Sequence, residues 1–595
     1  MEELILEKTE GVPFYIEEFI RTLKDLKTIE RKDGQYGIVK DIQEIIIPST
    51  IQDVIMARVD ALPQGAKELL QAGSAVEREF SYDMIQKITG LPEKELLSSF
   101  SVLKDAELVF ERGIYPDTSF IFKHALTRDV VYNSLLTKRK KKLREEIGVA
   151  IEELNKENIS EYYGVLVEHF IYGENYEKGA DYSKLAEKKA ENAGSINDAI
   201  AYAKKRISCL EKLPVDDDVE NKIISARTVL GLYYLQLGSA VEAKAAVDPI
   251  VDLAIKRNYK RRVSQINIIL GQYYFGVDED YPKALEYLEK ALKVAEELND
   301  YLSIVLANNI MGHCLSGNGE FAKALSCYEK ALGINVMANV RWGIVALKTN
   351  IVLFVYSCQG NAELSYQLSH EALRIADESG DIFSKANANL AHGGSYFLKG
   401  YLEEAEKHLL KAIDFCQKSN QLLYGAAAMC YLGNIYLRRK DYKSVQEYCE
   451  RSISILQHDI TGSSFFMLNK TYIALAKVMN KEKDINLNKI LKFEDKKNKW
   501  FEGLMSNHIA KILLNIDDQH VSEAEDWIKK SIETNQKYGM MWNLAQDYAL
   551  YGELFKRKGD PSKAKEKLNK AIEISKECGA DGWVEKYEKE LDSIS

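Results

Sequence analysis

The sequence predicts a mainly α-helical protein: a long solenoid of helical hairpins preceded by a small domain that carries a β-hairpin. A motif of about 40 residues recurs over most of the chain, the signature of stacked supersecondary units. Only nine prolines occur in 595 residues, and helix interiors tolerate proline poorly. Ahead of the repeats, short helical stretches give way to two β-type runs around a Gly/Pro/Asp turn.

The repeats come first because they carry most of the chain. "LGLYYLQLGSAVEAKAAV" from Leu230 is matched by "LGQYYFGVDEDYPKALEYLEKAL" from Leu270 and "MGHCLSGNGEFAKALSCYEKAL" from Met311. Further copies start at Leu353, Gly393, Leu432 and Tyr551, with a weaker one, "AEDWIKKSI", at Ala524. A small residue recurs in mid-unit at Ala243, Ala284, Ala324, Ser365, Ala405, Ala524 and Ala564, with Val445 in the same place. Each unit reads as helix A, a tight turn and helix B, the small residues letting the two helices approach. One hairpin leaves an apolar face bare, so neighbours must stack into a superhelix with a concave groove. This pattern resembles the tetratricopeptide repeat in its longer-helix form, over residues 158–595. The stretch 480–500 loses the pattern and becomes highly charged, predicting an irregular pair there. The final residues read as a last helix B and a capping helix with a charged solvent face.

Alignment on the small residue predicts which helix-A positions face the groove. One row runs Thr228, Ile268, Asn309, Asn350, Leu390 and Cys430; a second runs Leu232, Gln272, His313, Phe354, Gly394 and Asn434. These rows are mixed and mostly neutral, and no carboxylate clamp is apparent in them. Asn309, His313, Asn350, Phe354 and Asn434 are the partner-binding candidates. The Asn309–Asn350 pair could hydrogen-bond the backbone of an extended peptide, with ordinary polar lining the favoured reading.

Residues 61–157 change character. "LPQGAKELLQAGSAV", "SYDMIQKITG" (Ser81 a plausible N-cap) and "PEKELLSSFSVLKDAELV" read as three helices. "LVFERGIYPDTSFIFKHA" then reads as a hairpin, and the order is that of a winged helix. The basic run "TKRKKKLR" lies beyond the wing, and Glu93–Leu108, the presumptive recognition helix, offers Lys94 and Lys104 against several acids. A solvated helix start is favoured over DNA contact.

A net charge of -10 argues against a nucleic-acid coat, which needs many phosphate-neutralising cations. The eight cysteines include no CxxC pair and read as reduced core thiols. Residues 1–25 lack a basic n-region, and no apolar run approaches bilayer length, so a soluble, cytoplasmic protein is expected. The nine histidines form no HExxH or Cys/His metal pattern. His392 reads as a core histidine, His124 as packing or capping, and Glu403-Glu404 and Asp216-Asp217-Asp218 as solvent faces and turns. No catalytic or metal-binding residue is predicted.

Taken in order, "EGVPFYIEEFIRTL", "IPSTIQDVIMARVDALPQGAKELLQAGSAVEREFS", "FIFKHALTRDVVYNSLLTKRKKKLREEIGVAIEEL" and the repeats resemble the C-terminal half of STAND-type signalling ATPases. In bacteria these are fused to adenylate/guanylate cyclase or protein kinase domains. The resemblance makes residues 1–60 a remnant of the ATPase helical lid, with Gly11 and Pro13 of its Gly-x-Pro motif near the adenine of bound nucleotide. Here the chain departs from the family. No GxxxxGK[ST] is present to cradle phosphates, and no cyclase or kinase signature occurs. Met1 is therefore expected to fall inside the lid, in a fragment or a split gene product. The lid remnant is expected to be partly loose or docked on the winged helix. The resemblance implies a non-catalytic regulatory module whose repeats bind a protein or peptide and bias a nucleotide switch outside this chain. No cofactor is expected here; ATP/ADP and Mg belong to the parent. The alternatives are a transcription regulator using the winged helix on DNA, or a fragment of a cyclase- or kinase-linked ATPase enzyme.

Overall fold

The computed structural model describes residues 5, 13–25, 29–32, 35–38, 50–113, 118–458, 463–482, 491 and 498–594. The chain forms two compact units, Met1–Val215 and Asp216–Ser595.

In the first unit, α1 (Pro13–Asp25) opens on an exposed Pro13, at the helical position where a missing N–H costs nothing. Gly11 lies outside the described residues. Tyr15, Phe19 and Leu23 of α1 are buried with Ile29 and Val54. Charge ties the helix down as well: Lys123 reaches Glu17 at 2.6 Å and Glu107 at 2.9 Å, and Arg21 pairs with the same Glu107. Hydrogen bonds from Arg21 and Lys123 pull the Glu107 carboxyl down to about 2. β1 (Ile29–Lys32) and β2 (Gln35–Ile38) form an antiparallel ribbon.

α2 (Ile51–Asp60) is N-capped by Thr50, whose Oγ1 accepts from Asp53 N at 3.2 Å. Three helices follow, α3 (Gln64–Val76), α4 (Tyr82–Thr89) and α5 (Glu93–Asp105). Ser81 caps α4 as its sequence position suggests, Oγ accepting from Met84 N at 3.2 Å. The strands β3 (Glu79–Ser81), β4 (Val109–Arg112) and β5 (Ser119–Phe122) make an antiparallel sheet in the order β3-β5-β4. Strand alternation turns Phe120 and Phe122 inward, where Phe120 stacks on Phe100 of α5 with ring centres 3.6 Å apart. β3 is an addition to the sequence reading; three residues are too short to show a period.

α6 (Ala125–Ser134) begins with His124 at its N-cap position. α7 (Thr137–Leu154) carries the basic run, and five of its six cations are engaged within the unit. Lys141 pairs with Glu174 at 2.6 Å, Arg139 and Lys142 with Glu146 at 3.5 Å, and Lys140 and Arg144 lie over the Tyr132 ring. α8 (Tyr163–Tyr172), α9 (Tyr176–Asn192) and α10 (Ile196–Leu210) are antiparallel neighbours that close the unit.

The second unit is a solenoid. α11 (Asp217–Gln236) starts at the triple-Asp turn, Asp216 capping and Asp217 and Asp218 at the positive helix end. Its partner is the broken helix α12 (Ala240–Val247) and α13 (Val251–Lys256), split at Pro249. Hairpins follow as α14 (Lys260–Gly276) with α15 (Tyr281–Glu297), and α16 (Tyr301–Gly317) with α17 (Phe321–Met337). α18 (Arg341–Ile351), continued by α19 (Ser357–Gln359), pairs with α20 (Ala362–Ser379). Next are α21 (Ile382–Lys399) with α22 (Leu402–Lys418), and α23 (Leu422–Arg438) with α24 (Tyr442–His458). α25 (Ser463–Met479) precedes the stretch 480–500, of which 483–490 and 492–497 lie outside the described residues. The array ends in α26 (Lys499–Ile516) with α27 (Val521–Lys537), α28 (Met541–Arg557) with α29 (Pro561–Glu577), and α30 (Asp581–Asp592).

Each recurrent mid-unit residue, from Ala243 to Ala564, has no solvent exposure, as close helix pairing requires. Gly312 shows why small residues are needed opposite: a Cβ there would stand 2.5 Å from the Tyr328 ring. Cysteines are all free, and every one but Cys327 is buried.

One feature of the array departs from an open groove. The hairpin turns of the earlier units touch helix junctions far along the chain. Glu279 accepts from Ser464 N at 3.2 Å and from its Oγ at 3.1 Å, across 185 residues. Ala362 N donates to Cys578 O at 3.0 Å, and Trp583 Nε1 to Phe397 O at 3.1 Å, the latter across 186 residues. At Gly400 a Cβ would lie 2.7 Å from Trp583 N and 2.9 Å from Gly582 Cα, so only glycine allows the contact. Successive superhelical turns thus pack on one another. The capping helix α30 buries Trp583, Val584 and Tyr587 and keeps its exposed face charged.

Candidate partner-binding interior

Turn-on-turn packing decides what the predicted groove residues do. Of the first row, Thr228, Ile268, Asn350, Leu390 and Cys430 are buried and Asn309 is half-buried. This row packs helices together instead of facing an open groove. Of the second row, Gly394 and Asn434 are buried, and Leu232, Gln272, His313 and Phe354 are half-buried.

The structure brings the candidates together in two places. Asn350 Nδ2 donates to Asn309 Oδ1 at 2.9 Å, a rung between equivalent positions of adjacent units. Nearby, His313 Nδ1 bonds the Tyr328 hydroxyl at 2.8 Å, and burial pushes this imidazole down to about 4, so it is neutral. Its ring meets Phe354 edge-on at 4.6 Å, and Phe354 in turn meets Trp500 at 5.8 Å. Phe354 reaches both because a π turn, Val352–Tyr356, lies between α18 and α19. Asn434 stands apart from these, donating Nδ2 to the Tyr472 hydroxyl at 2.8 Å and accepting from Arg438 Nε at 3.0 Å.

Arg438 leads to the residues that the sequence reading missed. Its NH1 donates to Gln546 Oε1 at 3.1 Å, and its guanidinium lies 4.3 Å from the Trp583 ring centre, with Phe397 and Trp542 beside it. Lys511 of α26 is half-buried, and burial and the charge of Arg438, then of Lys586, push it down to about 7. His508, one helical turn earlier, is buried and held neutral by burial first, then by Lys511 and Arg438. Asp547 of α28 is buried too, accepting on Oδ1 from Asn507 at 2.6 Å and Ser531 at 2.7 Å, and on Oδ2 from Asn535 at 2.6 Å. Burial raises its carboxyl to about 7 against those three donors. Arg438 reaches Gln546 across 108 residues, whereas Asn507 and Asp547 are one repeat spacing apart, on neighbouring units.

Elsewhere, His392 is a core histidine bonded through Nδ1 to Ser369 Oγ at 2.9 Å, and Glu403 and Glu404 are exposed. Lys104 of α5 pairs with Glu111 at 2.5 Å. Among the described residues no cluster of His, Cys, Asp and Glu fits a metal ion, and no helix is long and apolar enough to cross a membrane.

The geometry defines a helical-repeat solenoid of the tetratricopeptide type. Tetratricopeptide-repeat models match residues 262–335 and 548–578. No curated protein matches the chain by sequence. Among solved structures, the chain is similar to the STAND signal-transduction ATPase PH0952 of Pyrococcus horikoshii, which has a tetratricopeptide-repeat sensor. Identity is 16% over 90% of this chain and 74% of that one, with a TM-score of 0.44. A Rap protein complexed with competence and sporulation factor is 12% identical over 68% of this chain and 99% of its own, TM-score 0.34. Yeast Tom70 is 12% identical over 76% and 97%, TM-score 0.27.

Proposed function

We propose that this chain is a non-catalytic sensing and coupling module of a STAND-type signalling ATPase. In this reading residues 1–60 belong to the lid, residues 61–157 are a winged-helix-like coupler, and residues 158–595 are the sensor. The sensor binds a partner protein or peptide in the cytoplasm and biases an ATP/ADP switch that acts on a cyclase or kinase output. His313, Phe354 and Asn434 form walls of the binding interior, and the Asn309–Asn350 rung joins neighbouring units. Pro13, with Gly11, serves the nucleotide-proximal lid motif.

The observation that carries the reading is the continuous stack of hairpins with polar groups enclosed along its interior. A stack built for support alone would fill that space with apolar side chains. The order of motifs ahead of the repeats supports the assignment to this class of ATPase.

The test uses a photo-crosslinking residue in place of Asn434 or, as a control, of exposed Glu403, in the expressing cell. A discrete adduct from position 434 and none from 403 is expected. Equal labelling at both positions overturns the reading. The purified chain is also expected to turn over no ATP, and stoichiometric hydrolysis refutes the non-catalytic assignment.

A further inference from the structure

We propose that this chain pairs with a second copy of itself across one edge of its repeat array, the row of junctions that joins α13 to α14, α15 to α16, α17 to α18 and α20 to α21. This goes beyond the sensor reading above and does not depend on it.

The contacts between coils follow one register: the turn inside an early unit sits on the junction between two later ones. A Cβ on Gly238 would stand 3.2 Å from Leu423 Cδ1, and one on Gly319 would stand 2.5 Å from the Tyr538 ring. Glu279 meets Ser464, and Ala362 meets Cys578, in the same way. Gly238 lies in the turn between α11 and α12, the first hairpin of the solenoid. The junction at Leu423 is therefore the first that the coil covers. The four junctions before it present the same edge, with no earlier turn of the solenoid to lie on them.

That edge is apolar where it stands open. Leu298, Tyr301 and Leu302 are exposed at the second junction, and Val336, Met337 and Trp342 at the third, Met337 to 79%. The junctions lie side by side. Arg261 of the first pairs with Asp300 of the second at 3.0 Å, and the Asn309–Asn350 rung joins the helices that follow the second and third. Trp342 of the third meets Phe383 of the fourth edge-on at 5.8 Å. The six exposed side chains present on the order of 700 Å², more than a monomer ordinarily leaves open and near the ~800 Å² that each partner gives to a standard interface.

Charge decides the occupant. Residues 254–261 carry Lys256, Arg257, Lys260 and Arg261 and no acid, and residues 295–302 carry Glu296, Glu297 and Asp300 and no base. Residues 335–342 carry Arg341 alone, and residues 376–383 carry Asp377, Glu378 and Asp381. The sign thus alternates from junction to junction. A two-fold axis between the second and third junctions lays the first on the fourth of the other copy and the second on its third. Every contact then joins opposite signs around an apolar centre. Head-to-tail stacking has no such match. Among the described residues, the turns between α23 and α24, α26 and α27, and α28 and α29 expose no large apolar side chain.

The experiment measures the mass of the full chain by sedimentation over a range of micromolar concentrations. A reversible species of twice the chain mass is expected. M337E should raise its dissociation constant about tenfold or more, by placing a charge in the apolar centre. R341E and E297R should each weaken it roughly threefold or more, because each reverses one side of a contact that occurs twice. Mixing R341E with E297R should restore the dimer, since every junction then faces its opposite sign again. These variants are expected to fold: all three positions are exposed, and a Glu at a helix start and an Arg at a helix end suit the helix dipole.

A monomer at every concentration, growth beyond the dimer, unaltered association in M337E, or no recovery in the mixed sample overturns the proposal. A photo-crosslinking residue at position 337 that captures a different protein in place of a second copy overturns it as well, and gives the edge to that partner.

Discussion

Replacing Gly400 with Ala tests whether contact between superhelical turns holds the array together. Gly400 and Gly559 both end a helix A with positive φ, +94° and +72°. An alanine in either left-handed turn costs roughly 1–2 kcal/mol from its own backbone. They differ in surroundings. At Gly559 nothing lies within 4 Å of the added Cβ, whereas at Gly400 it meets Trp583 N at 2.7 Å and Gly582 C at 2.8 Å. Those neighbours are backbone and cannot rotate away, so an overpacking penalty of about 1–3 kcal/mol is added. G559A should therefore cost about 1–2 kcal/mol and G400A about 2–5 kcal/mol. Because a repeat array need not unfold in one step, hydrogen exchange read segment by segment is the assay. G400A should speed exchange in α30 and α28, far from the substitution in sequence, while G559A acts only around its own turn. Equal global effects, or a G400A response confined to α21 and α22, would refute the reasoning.

Three further outcomes are expected. Asp547 is raised in the folded chain to about 7, so it binds its proton more tightly there than when unfolded. Its contribution is complete below about pH 4 and is lost as pH rises towards 7, so stability should fall across that window. In D547N that slope should vanish because the amide does not titrate, and Asn535 can turn its unpartnered Oδ1 to accept from the new amide; an unchanged slope in pH-dependent melting counts against this. W583F should cost about 0.5–1.5 kcal/mol by removing one of the two donors to the Phe397 carbonyl, which keeps the Gly400 N–H at 3.1 Å; denaturant titration reads it, and a neutral result denies the bond a role. In the native chain a maleimide should label Cys327 alone, and all eight cysteines after denaturation; rapid native labelling of Cys449 would contradict its burial.

The local repeat was legible because its physics is local. The Ala and Gly positions report helices in contact within a unit, and the Asn309–Asn350 rung joins equivalent sites of neighbours. The second level of order was not. Glu279–Ser464 and Gly400–Trp583 depend on how much each unit rotates against the next, which no single unit encodes. Groove alignment took Asn350 and Leu390 to face open space, and both are buried. Arg438 reads as one more basic residue in "YLRRK", and only the distant Trp583 and Gln546 give it a fixed orientation. The acids and rings that engage the basic run of α7 lie in the same unit.

The contacts at Glu279, Ala362 and Gly400 change how the array answers mechanical load. A solenoid joined only through neighbours stretches like a spring, each unit yielding a little and recovering. Rivets between coils remove that compliance, so extension must first break backbone hydrogen bonds and a buried indole contact. Pulled from its ends, the repeat region should resist and then release abruptly, with the force peak set by α30 leaving the coil beneath it.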